Sequence, residues 1–158
     1  MKVCVCGSRD FTDYEKARKI IYAFFYTFLE GWKVKGEIVS GCARGADALG
    51  ERFAKSFGLK CHRFPADWEK HGKSAGYIRN KEMAEFSDVI IAFWDGKSKG
   101  TKHMIDISVD MNKKVYVINV WHRYFVLYHL RFVANFPYSD VVLQWGAYVS
   151  RDNGFTYK

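Results

Sequence analysis

The chain has 158 residues, 49% of them apolar and 18% aromatic, and carries a formal net charge of +8. That composition excludes a disordered or fibrous polypeptide and supplies a full core for one compact domain. The positive balance suits an anionic partner, with the lysines dispersed apart from a cluster at Lys97, Lys99 and Lys102.

"MKVCVCGSRDF" reads as a short buried strand ending in a Gly-Ser turn. It opens directly on strand-like residues, so no signal peptide is expected. The apolar run "IIYAFFYTFL" is too short to cross a bilayer, so no membrane partner is expected. "TDYE", Thr12 to Glu15, has the spacing of a capping box and opens a helix expected to reach about Leu29. "GEIVSG" is a second strand and "CARGAD" the turn after it. "ADALGERFAKSFG" follows as a helix, with Ala48, Leu49, Phe53 and Phe57 on its apolar side and Gly58 at a left-handed C-terminal cap.

"KCHRFP" is a third strand and "ADWEKHGKSAG" an irregular segment. "YIRNKEMAEFS" is helical and "DVIIAFW" is a fourth, wholly apolar strand. "DGKSKG" is a loop, "TKHMIDISVDMN" a helix and "KKVYVINV" a fifth strand. The alternation predicts an α/β fold: a Rossmann-like, doubly wound, mostly parallel sheet of about five core strands with helices on both faces. Residues 1–120 are expected to form this domain. Residues 121–158 form an aromatic extension, packed on the same domain or on a second subunit. Within it, Trp121, Phe125, Tyr128 and Phe132 make one stripe if the segment is helical, and "DVVLQWGAYVS" reads as strand and turn.

Cys4, Cys6, Cys42 and Cys61 are expected to be reduced thiols of a cytoplasmic protein, and their spacing fits no zinc pattern, so no metal or cofactor is expected. Cys4 and Cys6 fall on one face of the first strand.

Ligands of open parallel sheets bind beyond the C-terminal ends of the strands. That rule selects "GSRD", "SGCARGAD", "PADW" and "WDGKSKGT" together. Their polar members are Gly7, Ser8, Arg9, Asp10, Ser40, Gly41, Arg44, Gly45, Asp47, Asp67, Trp68, Asp95, Ser98, Gly100 and Thr101. Two of these loops run into helix starts, where free amides and a partial positive charge favour phosphate. Arg44 has the fork for a phosphate or carboxylate. Asp47 suits a ribose hydroxyl, an acid role or a helix start. Lys73, in the glycine-flanked "KHGKSAG" with His71, is a phosphate contact if that segment closes as a lid. Trp68 and Trp94 flank the cleft, where either is able to stack on a base. His62, His122 and His129 read as structural. A P-loop is excluded, because Ile91 stands where that loop needs glycine.

The ordered strings "CGSRDF", "SGCARGAD", "FPADWEKHGKSAGYIRNKEM" and "SDVIIAFWDGKSKGT" closely resemble the small YspA-like members of the SLOG superfamily. That superfamily also holds the LOG phosphoribohydrolases and the DNA-processing protein DprA. The resemblance covers about residues 1 to 120 and implies a Rossmann-like domain that takes a nucleotide or nucleotide derivative. It also implies roles for residues matching the LOG motifs. Arg79 and Asn80 lie in "RNKEM", with Arg79 on the nucleotide, and Gly100 and Thr101 hold phosphate. The catalytic glutamate of the LOG enzymes falls at His103, so the chain departs from them there. Glu82 keeps the acid of the "KEM" string, or pairs with a neighbour on its helix.

Three functions are open on these residues. The first is a module that binds a nucleotide-like small molecule as a sensor or sequestering protein. The second is a nucleoside-monophosphate N-glycosidase using Arg79, Glu82 and His103, or a substitute carboxylate from Asp10, Asp47 or Asp95. The third is single-stranded nucleic-acid binding, by analogy with DprA. SLOG relatives imply a homo-oligomer, dimer or larger.

Overall fold

The computed structural model describes residues 1–29 and 35–120. The expected aromatic extension, including Trp121, His122, Phe125, Tyr128, His129 and Phe132, lies outside the described residues.

Five strands, β1 (Lys2–Gly7), β2 (Glu37–Ser40), β3 (Cys61–Arg63), β4 (Val89–Trp94) and β5 (Lys114–Asn119), form one sheet in the order β3-β2-β1-β4-β5. Every pairing is parallel. The helices are α1 (Tyr14–Phe28), α2 (Ala46–Ser56), α3 (Trp68–His71), α4 (Ala75–Phe86) and α5 (Lys99–Asp110), with a 3-10 turn at Gly72–Ser74. The α/β, Rossmann-like architecture expected from the alternation of elements is present. No helix among the described residues is long and apolar enough to cross a membrane.

The period-two geometry of β1 divides the core. Val3 and Val5 point into a cluster with Ile20, Ile21, Phe25 and Phe53 from α1 and α2. Cys4 and Cys6 point the other way, against Met83 and Ala84 of α4 and Met104 and Ile105 of α5. Both faces of the sheet are covered, which is why β4 reads as "VIIAFW", with its first five residues buried. Phe25 and Phe53 are fully buried, with ring centroids 5.8 Å apart. Truncating either to alanine is expected to cost about 3–5 kcal/mol, from lost transfer energy and the cavity left behind.

Four local expectations are corrected. The N-cap of α1 is Asp13, not Thr12: its carboxylate accepts from the Lys16 amide at 2.9 Å. Glu15 turns outward to Arg18 instead of closing a box. On α2, Ala48 is exposed and the buried stripe runs through Ala46, Leu49, Gly50 and Phe53. The segment read as irregular holds α3, because Asp67 accepts the Lys70 amide at 2.9 Å and nucleates a turn. Helix α5 starts at Lys99, capped by the Ser98 hydroxyl, ahead of the expected Thr101. Gly58 has φ 61° and ends α2 as expected.

Candidate functional site

Strands β1 and β4 are neighbours whose connections leave to opposite sides of the sheet, which makes their C-terminal ends the switch point of the fold. The loops there are tied together. The Ser8 amide donates to Phe93 O at 2.8 Å, and the Asp95 amide donates to the Ser8 hydroxyl at 3.1 Å. Between them opens a cleft of about 210 Å³.

The loop between β2 and α2 is folded around Asp47. Its Oδ2 accepts from the amides of Gly41 at 3.1 Å and Ala43 at 3.5 Å. Gly45 has φ 78°, and a Cβ there would run into the Ser8 carbonyl, so α2 enters the sheet close beside β1. At Gly41 a Cβ would meet the Arg79 guanidinium and stand 2.8 Å from Asp47 Oδ2. The missing side chain is what lets Arg79 reach across from α4. Its Nη1 donates to the Gly41 carbonyl and lies 3.7 Å from Asp47 Oδ2, and its Nε donates to Asn80 Oδ1 at 3.1 Å.

Asp47 and Arg79 have side chains only 5% and 12% exposed. Burial pushes the Asp47 carboxyl up to about 6, against the opposing pull of Arg79 and of the Ala43 and Gly41 amides. Asp47 Oδ1 makes no hydrogen bond among the described residues, and Asp47 lines the cleft.

The other wall is the start of α5. Asp95 Oδ1 accepts from the Lys97 amide at 2.9 Å and the Ser98 amide at 2.7 Å. Partial burial raises this carboxyl, but those two amides, with the Ser8 hydroxyl and the Asp95 amide, hold it below its ordinary value. The turn so fixed presents Ser98, Gly100 and Thr101 to the cleft at a helix N-terminus.

Of the residues singled out from sequence, Gly7, Arg9, Asp47, Trp68, Lys73, Arg79, Asn80, Ser98, Gly100 and Thr101 line this one cleft. Ser8 and Ser40 are buried beneath it, with Ser40 Oγ donating to Glu51 at 2.8 Å. Gly41 and Gly45 shape its loop, Asp67 caps α3, and Asp95 holds its own turn. Arg44 and Asp10 pair with each other at 3.3 Å outside the lining, with side chains 75% and 91% exposed. Glu82 is exposed on α4, away from the lining.

His103 also stands outside the lining, behind Asn80. The Asn80 amide nitrogen donates to Gly100 O at 3.0 Å and to His103 Nδ1 at 3.3 Å. That second bond requires an unprotonated Nδ1 and so places the proton of the neutral ring on Nε2. Burial lowers the His103 pKa, with Asp106 working against it. Trp94 turns its indole N–H to the Ser98 carbonyl at 3.2 Å, a structural role.

The cleft also takes Cys6, Ala43, Gly76, Tyr77, Met83 and Met104, which were not selected from sequence. Helical spacing carried a signal for two of them: Gly76 and Met83 fall on one stripe of α4 with Asn80, beside Tyr77.

Residues 1–71 match the model of the family described as YspA, cpYpsA-related SLOG. Over these residues the chain is similar to the YspA-related SLOG family. This SLOG stretch contains the first three loops of the cleft, including Asp47 and Trp68, and ends before Lys73, Arg79 and the α5 turn. The chain is also similar to the Gene 61 protein of Mycobacterium phage D29, with 44% identity over 72 residues. That alignment takes in 42% of this chain and 58% of the relative, so the chain spans little more than half the length of the curated relative it matches.

Proposed function

We propose that this chain binds a nucleotide or nucleotide-derived small molecule in the cleft at the C-terminal ends of β1 and β4, as a sensor or sequestering protein. The observation that carries this reading is that three cations share one cleft with a helix N-terminus. Arg9, Lys73 and Arg79 line the same cleft as Ser98, Gly100 and Thr101 at the start of α5. A phosphate there is met by free amides, hydroxyls and positive charge together. Asp47 Oδ1 is available for a ribose hydroxyl, an acceptor beside a phosphate site. The match to the SLOG family over residues 1–71 supports a nucleotide-related ligand.

One observation favours a second reading. Of the four carboxylates able to replace the missing glutamate, only Asp47 lines the cleft. Asp10 is paired outside, Glu82 is exposed, and Asp95 is committed to its own turn. A carboxyl that titrates at about 6 is suited to general-base work near neutral pH. In the hydrolytic reading, water adds to C1′ as the C1′–N bond breaks. Asp47 takes a proton from the water and the leaving base takes up a proton, giving ribose 5-phosphate and free base.

Incubation with adenosine 5′-monophosphate, followed by calorimetry and chromatography, tests both. Saturable binding with the nucleotide recovered intact supports the binding reading. Release of adenine that is lost in Asp47→Asn replaces it with the hydrolytic one. Absence of binding and turnover across nucleoside mono-, di- and cyclic phosphates overturns both.

A further inference from the structure

Trp68 and Tyr77 are 53% and 47% exposed, among the largest apolar side chains left open on the described surface, and both line the cleft. A single exposed aromatic is ordinary, whereas a pair lining one cleft marks a binding surface. Two of them on the rim of a polar, cationic cleft call for a ligand that is apolar at one end.

Each ring is held from behind and open in front. Trp68 is the first residue of α3, fixed by the Asp67 cap, and its ring lies over the start of α4: a Cβ at Gly76 would stand 3.3 Å from Trp68 Cη2. Glycine at 76 therefore admits the indole against the helix. Tyr77 rests on the edge of the His103 ring, with centroids 4.5 Å apart and planes at 87°. His103 in turn is held by Asn80, whose amide also holds Gly100 of the phosphate-side turn.

We infer that Trp68 and Tyr77 are the recognition surface for a planar heterocyclic base, and that the ligand spans the cleft with its anionic end at Ser98–Thr101. This deepens the nucleotide reading given above and rests on it. Stacking reads the face of a ring, so the preference it confers is for possession of a base. His103 is a positioning residue here: it supports Tyr77 and touches no ligand.

The experiment compares adenosine 5′-monophosphate with ribose 5-phosphate, which carries the same phosphate and sugar without the base, by calorimetry on the full chain. The nucleotide is expected to bind at least about tenfold more tightly. That ratio is expected to fall to about threefold or less in Trp68→Ala and in Tyr77→Ala, and to be largely restored in Trp68→Phe. Equal affinity of the two ligands for the wild type overturns the inference while leaving the phosphate site standing. An unchanged ratio in both alanine variants, with light scattering showing that they turn a dimer into a monomer, assigns the rings to a subunit interface and overturns it as well. Failure of both ligands to bind overturns the nucleotide reading, and this inference with it.

Discussion

Asp47 and Arg79 face each other at 3.7 Å in the floor of the cleft, one at the start of α2 and the other on α4, which lies on the opposite face of the sheet. The pair closes the gap between the two helical layers at the C-terminal edge of β1. The contact is indirect in its strength, because each partner also holds backbone: Asp47 the amides of Gly41 and Ala43, Arg79 the carbonyl of Gly41.

Removing Arg79 therefore leaves a buried carboxylate and an unfilled carbonyl. Arg79→Ala is expected to destabilise the fold by about 3–5 kcal/mol near neutral pH. Adding Asp47→Asn to it is expected to recover part of that loss, with a coupling of about 1–3 kcal/mol in a double-mutant cycle by urea unfolding. Additive single effects would refute the pairing. Arg44→Ala, in an exposed pair with Asp10, is expected to change stability by no more than about 1 kcal/mol.

The raised Asp47 carboxyl predicts a pH signature. Its folded pKa, about 6, lies above the ordinary 3.8. Its contribution is thus fully present below pH 3.8 and lost as pH rises through about 6. The stability of the wild type relative to Asp47→Asn should fall between these limits by up to about 3 kcal/mol. Unfolding curves for the two proteins at pH 4, 5, 6 and 7 check this. A difference independent of pH would show that Asp47 titrates as an ordinary surface acid.

Asn80 joins the two walls of the cleft. Asn80→Asp replaces the donor to His103 Nδ1 with a carboxylate, and so favours the imidazolium that burial now disfavours. The His103 pKa, followed by NMR of its ring protons, is expected to sit below the ordinary 6.5 in the wild type and to rise in the variant. No movement on substitution would mean that the Asn80 contact does not set the protonation of the ring.

Ser98 both caps α5 and lines the cleft. Ser98→Ala is expected to cost about 1 kcal/mol of stability through the lost cap. Ser98→Asp is expected to keep the cap and to abolish the thermal shift produced by a nucleoside monophosphate, since its charge repels phosphate. Thermal melts with and without adenosine 5′-monophosphate separate the two roles; an undiminished ligand shift in Ser98→Asp would remove Ser98 from the site.

The order and type of the five strands were legible because a sheet covered on both faces demands continuous apolar runs, and "VCVC" and "VIIAF" supply them. The four loops were legible because parallel topology gathers strand ends whatever the tertiary detail. Individual roles inside the loops were not. Asp47 fits sugar partner, acid and helix start alike because the same spacing serves all three; its amide partners emerge only when the 41–47 loop closes on itself. Arg44 and Arg79 both read as anion contacts in the sequence, yet one sits at a loop tip and the other crosses the floor, a difference set by Gly41 making room for a side chain from α4. Tyr77 carries no site signal in the sequence, because an aromatic on a helix reads as core until its exposure is known. The Thr12–Glu15 spacing misled by a single position, since Asp13 is an equally good cap and stands nearer the helix.

The strand order carries a consequence for fragments of this chain. Strand β1 is central, and one of its two neighbours, β4, begins only at Val89. A polypeptide ended at residue 71, where the family match stops, would leave one edge of β1 unpaired and strip Cys4, Cys6 and Val39 of the cover that α4 and α5 give them. The stretch that matches the family is therefore part of a folding unit, and the piece that closes both layers over the sheet runs from the first strand through Asn119. Expression of residues 1–71 alone should yield an aggregating chain, however recognisable its sequence.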